Sequence, residues 1–329
     1  MADLVSAIIP TYNRRKDLCE CIDSIMNQEY KPIEIIVIDD CSEDDTIGYL
    51  SSHYKDITVI KSNCHYGPSH LRNKGLIRAK GKYILFLDSD VVLHDGHIVD
   101  RMVKKFTEDG NMGQIGGEIP AYLGIESWAC GKNLSFFAEI YDVISKKSDT
   151  EYIKKKCCDY LITANCMVRK EVAELVGGFD PYFNFGGEDV DFGYRIKNKG
   201  LNNYVDYSVA VQHKHSLSGR YTDQSYRFKL TRIRFNMKHF FPLKVFIIFF
   251  RDLLKVLFFY LILVPKIIVK IFTKSRLVSD NFLGGYHILK AYFVNIFRYS
   301  ETKKTRDLNF LHKEEMDKYE NYVQCKSLK

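Results

Sequence analysis

The sequence predicts an α/β fold: a mostly parallel sheet with helices on both faces, followed by a helical, amphipathic C-terminal region. Three observations carry the prediction. Short β-branched runs (VSAIIP, EIIVID, YILFLD) alternate with segments whose apolar residues recur every three to four positions. The runs are almost continuously apolar, as strands covered on both faces are, rather than alternating in polarity. From Gly219 onward the strand signals stop and only helical patterns remain.

Taken in order, Val5–Pro10 reads as a buried strand, and Arg14–Glu29 as a helix with Leu18, Ile22, Ile25 and Met26 on one stripe. Glu34–Asp39 is the second strand. Ser42 is expected to open a helix, because Ser42-x-x-Asp45 approximates a capping box. Ile57–Lys61 is the third strand, and Pro68 suits the first turn of a helix reaching about Ala79. Tyr83–Asp88 is the fourth strand. Beyond residue 95 the pattern loosens to a strand over Tyr160–Val168, a helix over Glu188–Lys199 closed by Gly200, and a strand over Asn203–Val211. Two regions are expected: residues 1–215, divided near residue 95, and a helical region 216–329.

Of the 329 residues, 46% are hydrophobic and 27% charged, a balance that excludes disorder of the whole chain. The net charge of +7 is unevenly spread: residues 216–329 carry +13 and the preceding part −6. A basic third of this kind suits nucleic acid or an anionic membrane surface, or is a solvated basic face. The nine cysteines show no paired zinc spacing and read as reduced thiols of a cytosolic protein. Val5–Pro10 is too short for a signal-peptide core.

Ligands of such sheets bind beyond the carboxyl ends of the strands, and the polar clusters fall there: Pro10-Thr11-Tyr12-Asn13, Asp39-Asp40 and Asp88-Ser89-Asp90. Two carboxylates at i and i+2 past a buried strand can share a hard divalent cation. Asp39-Asp40 can accept hydrogen bonds from a base or ribose, or supply charge to a helix N-terminus. Arg72 is either a bidentate phosphate ligand or a surface cation. Glu188 and Asp189 follow Gly186-Gly187, where a carboxylate can act as a general base or cap the helix. His213 is either a metal ligand or a structural histidine. Trp128, the single tryptophan, is placed to stack on an acceptor sugar or to pack in the core.

The segments VSAIIPTYNR, EIIVIDDCSEDDT, HYGPSHLRNKG, GKYILFLDSD and GGFDPYFNFGGEDVDFGYRIKNKG, spanning about residues 5–200, together resemble a family 2 glycosyltransferase with the Rossmann-like GT-A fold. The resemblance implies an inverting, metal-dependent enzyme using a nucleotide-sugar donor, with a UDP-sugar expected. It implies that Pro10 and Tyr12 hold the base, Asp40 hydrogen-bonds it, Arg72 neighbours the diphosphate, and Asp88 binds ribose or sugar. Asp90 and His213 would hold Mn²⁺ or Mg²⁺, and Asp189 would be the catalytic base. Residues 1–95 then form the nucleotide-binding half and 96–215 the acceptor and catalytic half.

Two departures from that pattern stand out. His65 replaces the usual Asn or small polar residue, and Gln224-Ser225-Tyr226-Arg227-Phe228 looks like a degraded Gln-x-x-Arg-Trp signature of processive synthases. With Phe in place of Trp, transfer of one sugar is expected over chain extension; a polyprenyl-phosphate sugar synthase is the alternative.

Residues 240–272 are apolar with sparse charge. The longest uncharged run, Val256–Pro265, has ten residues, against roughly 20 for a membrane span. Lys244, Arg251, Asp252 and Lys255 fall within about 100° of one another around a helix, and Pro265 is expected to kink or end it. This is the pattern of a helix lying in a membrane interface; a helix docked on the enzyme with one wet face is the alternative. The density of Phe, Leu and Ile favours lipid, so no nucleic acid is expected. The expected setting is the cytoplasmic face of a membrane, with a lipid-linked or membrane-proximal glycan acceptor. The 301–329 tail reads as polar and partly frayed.

Overall fold

The first apolar run forms β1 (Val5–Thr11) and the alternation continues through α1 (Arg15–Met26), β2 (Ile33–Asp39), α2 (Thr46–His53), β3 (Thr58–Lys61), α3 (Pro68–Arg78) and β4 (Tyr83–Leu87). The computed structural model describes residues 2–119, 128–129, 131–142, 156–183, 186–214, 224–270 and 279–327. Next come β5 (Val91–Val92), α4 (Ile98–Glu108), β6 (Met112–Gly116), β7 (Glu118–Ile119), β8 (Trp128–Ala129), β9 (Gly131–Leu134) and β10 (Ile140–Asp142). These are followed by β11 (Lys156–Cys158), β12 (Tyr160–Leu161), β13 (Asn165–Arg169), α5 (Lys170–Leu175), α6 (Glu188–Asn198), β14 (Asn202–Val205) and β15 (Gln212–His213).

Among the described residues, eight strands form one sheet in the order β11-β14-β6-β13-β4-β1-β2-β3. It is mostly parallel; β13 runs antiparallel to both its neighbours, and β11 to β14. Both faces are buried, which explains the continuous hydrophobicity of the strands. Ala7, Ile9, Val37, Leu85 and Leu87 meet α1 and α4 on one side. Ile8, Ile36, Ile38, Ile84 and Phe86 meet α3, α5 and α6 on the other. The close approach of α3 depends on Gly75, where a Cβ would lie 2.5 Å from Ile8 Cγ2.

Four local expectations are corrected. Ser42 does not open a helix: its Oγ accepts the Asn13 N–H at 2.9 Å, tying two strand-end loops together, and α2 starts at Thr46. The run Tyr160–Val168 splits, because β12 pairs with β9 in a small separate sheet while β13 joins the main one. The run Asn203–Val211 breaks after β14 into a 3₁₀ turn, Tyr207–Val209, whose Ser208 N–H is capped by the Asp206 carboxylate at 2.8 Å. Most of the tail is ordered among the described residues: Lys313–Ser327 is helical.

The chain divides into two compact units, Met1–Arg220 with Asn309–Lys329, and Tyr221–Leu308. The tail thus returns to the first unit. The second unit comprises α7 (Gln224–His239), α8 (Pro242–Lys270), α9 (Ser279–Phe297) and α10 (Tyr299–Lys304); the tail helix is α11 (Lys313–Ser327). Helix α8 continues through Pro265, since a proline removes only one bond of the ladder and the turns on either side persist.

The charged face of α8 is turned partly inward. Asp252 is buried and accepts hydrogen bonds from Arg232 of α7 at 2.5 Å, Arg251 at 2.8 Å and Tyr292 Oη of α9 at 3.0 Å. Asp252 is therefore turned inward with its partners, Lys244 and Arg251 are half-buried, and Lys255 is exposed. Leu243, Phe246, Ile247, Phe250, Leu254, Leu257 and Phe258 face out instead. No helix among the described residues is long and apolar enough to cross a membrane.

Candidate active site

Adjacent parallel strands β4, β1 and β2 end on the same side of the sheet, so the segments after them share one crevice. Asp88 follows β4 directly, and its carbonyl accepts the Val91 N–H at 3.1 Å, forming the turn into β5. Strand β15 pairs antiparallel with β5, His213 opposite Val91. That pairing sets the buried imidazole beside buried Asp90, with Nε2 3.0 Å from Oδ1. Ligand atoms of Asp88, Asp90 and His213 lie within 4.8 Å of one another. Two carboxylates and an imidazole at that spacing fit a divalent cation such as Mn²⁺ or Mg²⁺. Arg14 Nη1 lies 3.0 Å from Asp90 Oδ2 and balances its charge.

Arg72, on α3, is 3% exposed and joins the two halves of the site. Its Nη2 lies 2.9 Å from Asp88 Oδ1, its Nη1 3.4 Å from Glu188 Oε1, and its guanidinium packs over the Phe179 ring. Burial works against its charge, but Asp88 and Glu188 outweigh burial and hold the guanidinium protonated. The surface-cation reading of Arg72 is thereby excluded.

Helix α6 begins after Gly187, whose φ of +87° is open to glycine at little cost. Its first turn presents Glu188 and Asp189. Glu188 accepts the Gly186 N–H at 2.9 Å. Burial raises its pKa, Arg72 opposing. Asp189 Oδ1 accepts the Thr163 hydroxyl at 2.6 Å. Its pKa is pushed up to about 7, first by burial and then by the Glu188 charge, against the pull of Arg72 and Thr163. Asp191, in the same turn, is structural: it pairs with Arg195 at 2.8 Å, which donates onward to Gly178 O at 2.6 Å.

At the other end of the crevice, Pro10 lies in β1 opposite Ile38. Tyr12 follows the strand, and its ring centroid lies 4.4 Å from that of His65. Asp40 accepts the Tyr66 N–H at 2.7 Å and the Gly67 N–H at 2.9 Å, and His65 Nδ1 lies 2.8 Å from its Oδ2. Asp40 thus holds the turn before α3, with acceptor capacity left over, and raises the pKa of His65 through the hydrogen bond between them. Asp39 is buried and caps the following loop at the Ser42 N–H, 3.0 Å away. Trp128 stands in β8 opposite Ile119; its side chain lies outside the described residues.

The structure thus gathers Arg72, Asp88, Asp90, Glu188, Asp189 and His213, and separately Tyr12 with Asp40. It adds Arg14 and Thr163, and sets His65, already marked as a departure in the sequence, against Tyr12 and Asp40. Arg14 had a signal in the sequence, a cation directly after the strand-end PTYN. Thr163 had none, because its partner is 26 residues away.

A fold and site of this kind define a glycosyltransferase of the GT-A type. The Glycosyl transferase family 2 profile matches residues 6–174, and the chain belongs to that family. It is 41% identical over 104 residues to a GalNAc(5)-diNAcBac-PP-undecaprenol beta-1,3-glucosyltransferase of Campylobacter jejuni, covering 30% of this chain and 34% of that protein. It is 46% identical over 90 residues to the Escherichia coli UDP-Glc:alpha-D-GlcNAc-diphosphoundecaprenol beta-1,3-glucosyltransferase WfaP, covering 27% and 36%. The chain thus spans about a third of the length of these relatives. Among solved structures, GalNAc-T7 with UDP, GalNAc and Mn²⁺ is similar at a TM-score of 0.58 and 17% identity, over 72% of this chain and 48% of that one. S. aureus TarS 1-349 is similar at 0.56 and 16%, over 97% and 91%. These two share the fold.

Proposed function

We propose that this enzyme moves one sugar from a nucleoside diphosphate sugar, expected to be a UDP-sugar, to a hydroxyl of a lipid-linked or membrane-proximal glycan, with inversion at the anomeric carbon. The observation that carries the reading is the buried Arg72 bridge from Asp88 to Glu188. It sets a permanent positive charge between the strand end where the donor is expected and the helix that bears Asp189. Tyr12 and Asp40 bind the base, and Pro10 shapes the floor beneath it. Arg72 stabilises the negative charge that grows on the leaving diphosphate, usually the largest catalytic contribution. A cation held by Asp88, Asp90 and His213 would add Lewis-acid charge beside that diphosphate.

Asp189 is the general base. With a pKa near 7 it is half ionised at neutral pH and matched to accepting a proton from a hydroxyl. The acceptor oxygen bonds to the anomeric carbon, its proton passes to the Asp189 carboxylate, and the bond from that carbon to the diphosphate oxygen breaks. A single displacement inverts the configuration. Glu188 pairs with Arg72 and keeps Asp189 weakly acidic. A lipid-linked acceptor agrees with the undecaprenol-linked substrates named for the C. jejuni and E. coli relatives.

The second unit holds the enzyme at an anionic membrane surface through residues 240–272. Support comes from its outward apolar helix face, with Phe246 61% and Phe258 67% exposed. Helix α9 presents Phe293 and Phe297 outward in the same way. Helices α8 and α9 also border an apolar cleft of about 410 Å³ lined by Val245, Phe249, Tyr292 and Ile296. Water finds no partner in such a cleft, whereas hydrocarbon does. The free thiols of the seven cysteines described agree with the cytoplasmic side.

The test is a donor screen with undecaprenyl-diphosphate-linked sugar acceptors, reading nucleoside diphosphate release with Mn²⁺ or Mg²⁺ and after chelation. Asp189→Asn is expected to lower kcat by about 10²- to 10⁴-fold while nucleotide binding persists. Near-normal turnover in that variant would falsify the base assignment.

A further inference from the structure

The nucleotide-binding turn of the first unit is held from outside by the C-terminal helix. Tyr319 of α11 is buried, and its hydroxyl donates to the Tyr66 carbonyl at 2.9 Å. Tyr66 in turn donates its own N–H to Asp40 at 2.7 Å, and the Gly67 N–H, in the same peptide as the Tyr66 carbonyl, donates to Asp40 at 2.9 Å. One peptide thus separates α11 from the carboxylate that meets the base. The next residue, Glu320, accepts from His70 Nε2 at 2.9 Å and lies 2.8 Å from Lys74 Nζ, both on α3. Lys74 and His70 outweigh the opposing effect of burial and hold Glu320 ionised. Burial, with Lys74 adding to it, holds His70 neutral, its pKa lowered to about 4.

The same helix also touches the loop that leads into the catalytic turn. The rings of Tyr319 and Tyr182 meet edge to face, with centroids 5.4 Å apart, and Tyr322 stands 5.6 Å from Tyr182. Just before α11, the Phe310 N–H donates to Gly177 O at 2.9 Å, and Leu311 packs where a Cβ on Gly178 would sit. A surface helix needed only to cover apolar area would not require a tyrosine hydroxyl and a carboxylate aimed at α3 and the turn before it. Desolvating them is costly unless the geometry is kept.

We propose that Tyr319 and Glu320 are positioning residues of the donor site: α11 holds the 65–67 turn, and through it the Asp40 carboxylate, in the geometry that receives the nucleotide base. The inference rests on the assignment of Asp40 and Tyr12 to the base. It predicts a defect confined to the donor. Tyr319→Phe removes one hydroxyl and keeps the ring, so the Tyr66–Gly67 turn loosens while the Arg72 and Asp189 region stays intact.

The experiment uses the full chain. Binding of UDP, GDP, CDP and dTDP is measured by calorimetry with Mn²⁺, and the tightest binder becomes the probe. Tyr319→Phe is expected to weaken its binding, and to raise the KM of the matching donor, about three- to tenfold, with kcat and the acceptor KM within twofold of the parent. Glu320→Ala is expected to behave likewise, and Glu320→Gln, which keeps an acceptor for His70, to recover most of the loss. Hydrogen exchange at the Tyr66 and Gly67 amides should quicken in Tyr319→Phe. Unchanged probe binding in Tyr319→Phe, or an equal fall in kcat, overturns the proposal. Asp40→Asn, run in parallel, separates the two levels: if it weakens the probe while Tyr319→Phe does not, only the role of α11 fails. If neither variant weakens it, or no nucleotide binds the parent, the donor-site assignment fails as well.

Discussion

Replacing Thr163 by Val tests the base assignment without touching the base. The Thr163 hydroxyl donates to Asp189 Oδ1 at 2.6 Å and is one of two groups that pull the carboxyl toward ionisation, Arg72 being the other. Valine has nearly the same shape, so this buried site keeps its packing. A hydrogen bond to a charged group is worth about 1.5–3 kcal/mol, and each 1.36 kcal/mol is about one pKa step. Without it, the carboxyl should titrate at about 8 to 9 instead of about 7. The sign follows from the role: a base must be ionised, so activity falls as pH drops through the pKa. The parent's kcat/KM should rise with pH to a plateau above about 7. In Thr163→Val that limb should move up, leaving roughly 5- to 50-fold less activity at pH 7 and little loss at pH 9.5. A pH–rate profile at saturating donor decides the matter. A loss equal at every pH, or a parent profile with no limb near neutrality, refutes the reasoning.

Three further outcomes are expected. Arg72→Met should leave Asp88 and Glu188 facing each other without a cation, lowering stability by about 3–5 kcal/mol in urea titration and abolishing diphosphate binding. His213→Ala should raise the Mn²⁺ concentration for half-maximal activity about 10-fold or more, measured by metal titration at fixed nucleotide. Phe246→Glu with Phe250→Glu should remove most binding to anionic phospholipid vesicles in a flotation assay while soluble-donor hydrolysis persists, because both side chains lie on the outward face of α8.

How much of this was legible beforehand varies by element. Strands β1 to β4 were plain because burial on both faces forces continuous hydrophobicity, and the polar residues after them could lie only at the strand ends. The position of Asp88 and Asp90 at a strand end was legible for that reason, whereas Asp189, at the start of α6, was singled out by the glycines before it and by the family resemblance. Helix α8 shows the opposite. Its periodicity revealed two faces, but periodicity is silent on which face docks. The inward placement of Asp252 depends on Arg232, some 20 residues earlier, and Tyr292, 40 residues later, both meeting it. The tail misled as well: polar composition suggests fraying, yet α11 is tied down by Tyr319 and Glu320 reaching partners 253 and 250 residues away.

The sequence by itself therefore determined the α/β sheet, the polar strand ends and the asymmetry of charge, because each follows from local pattern and backbone preference. Only the tertiary structure decided that Arg72 spans the crevice, that Arg14 meets Asp90, that α8 turns its apolar face outward, and that the last helix reaches the Tyr66–Gly67 turn. Those features are pairings between distant residues. Their energy comes from desolvated hydrogen bonds and ion pairs, which exist once both partners are brought together and leave no periodic trace in either segment alone.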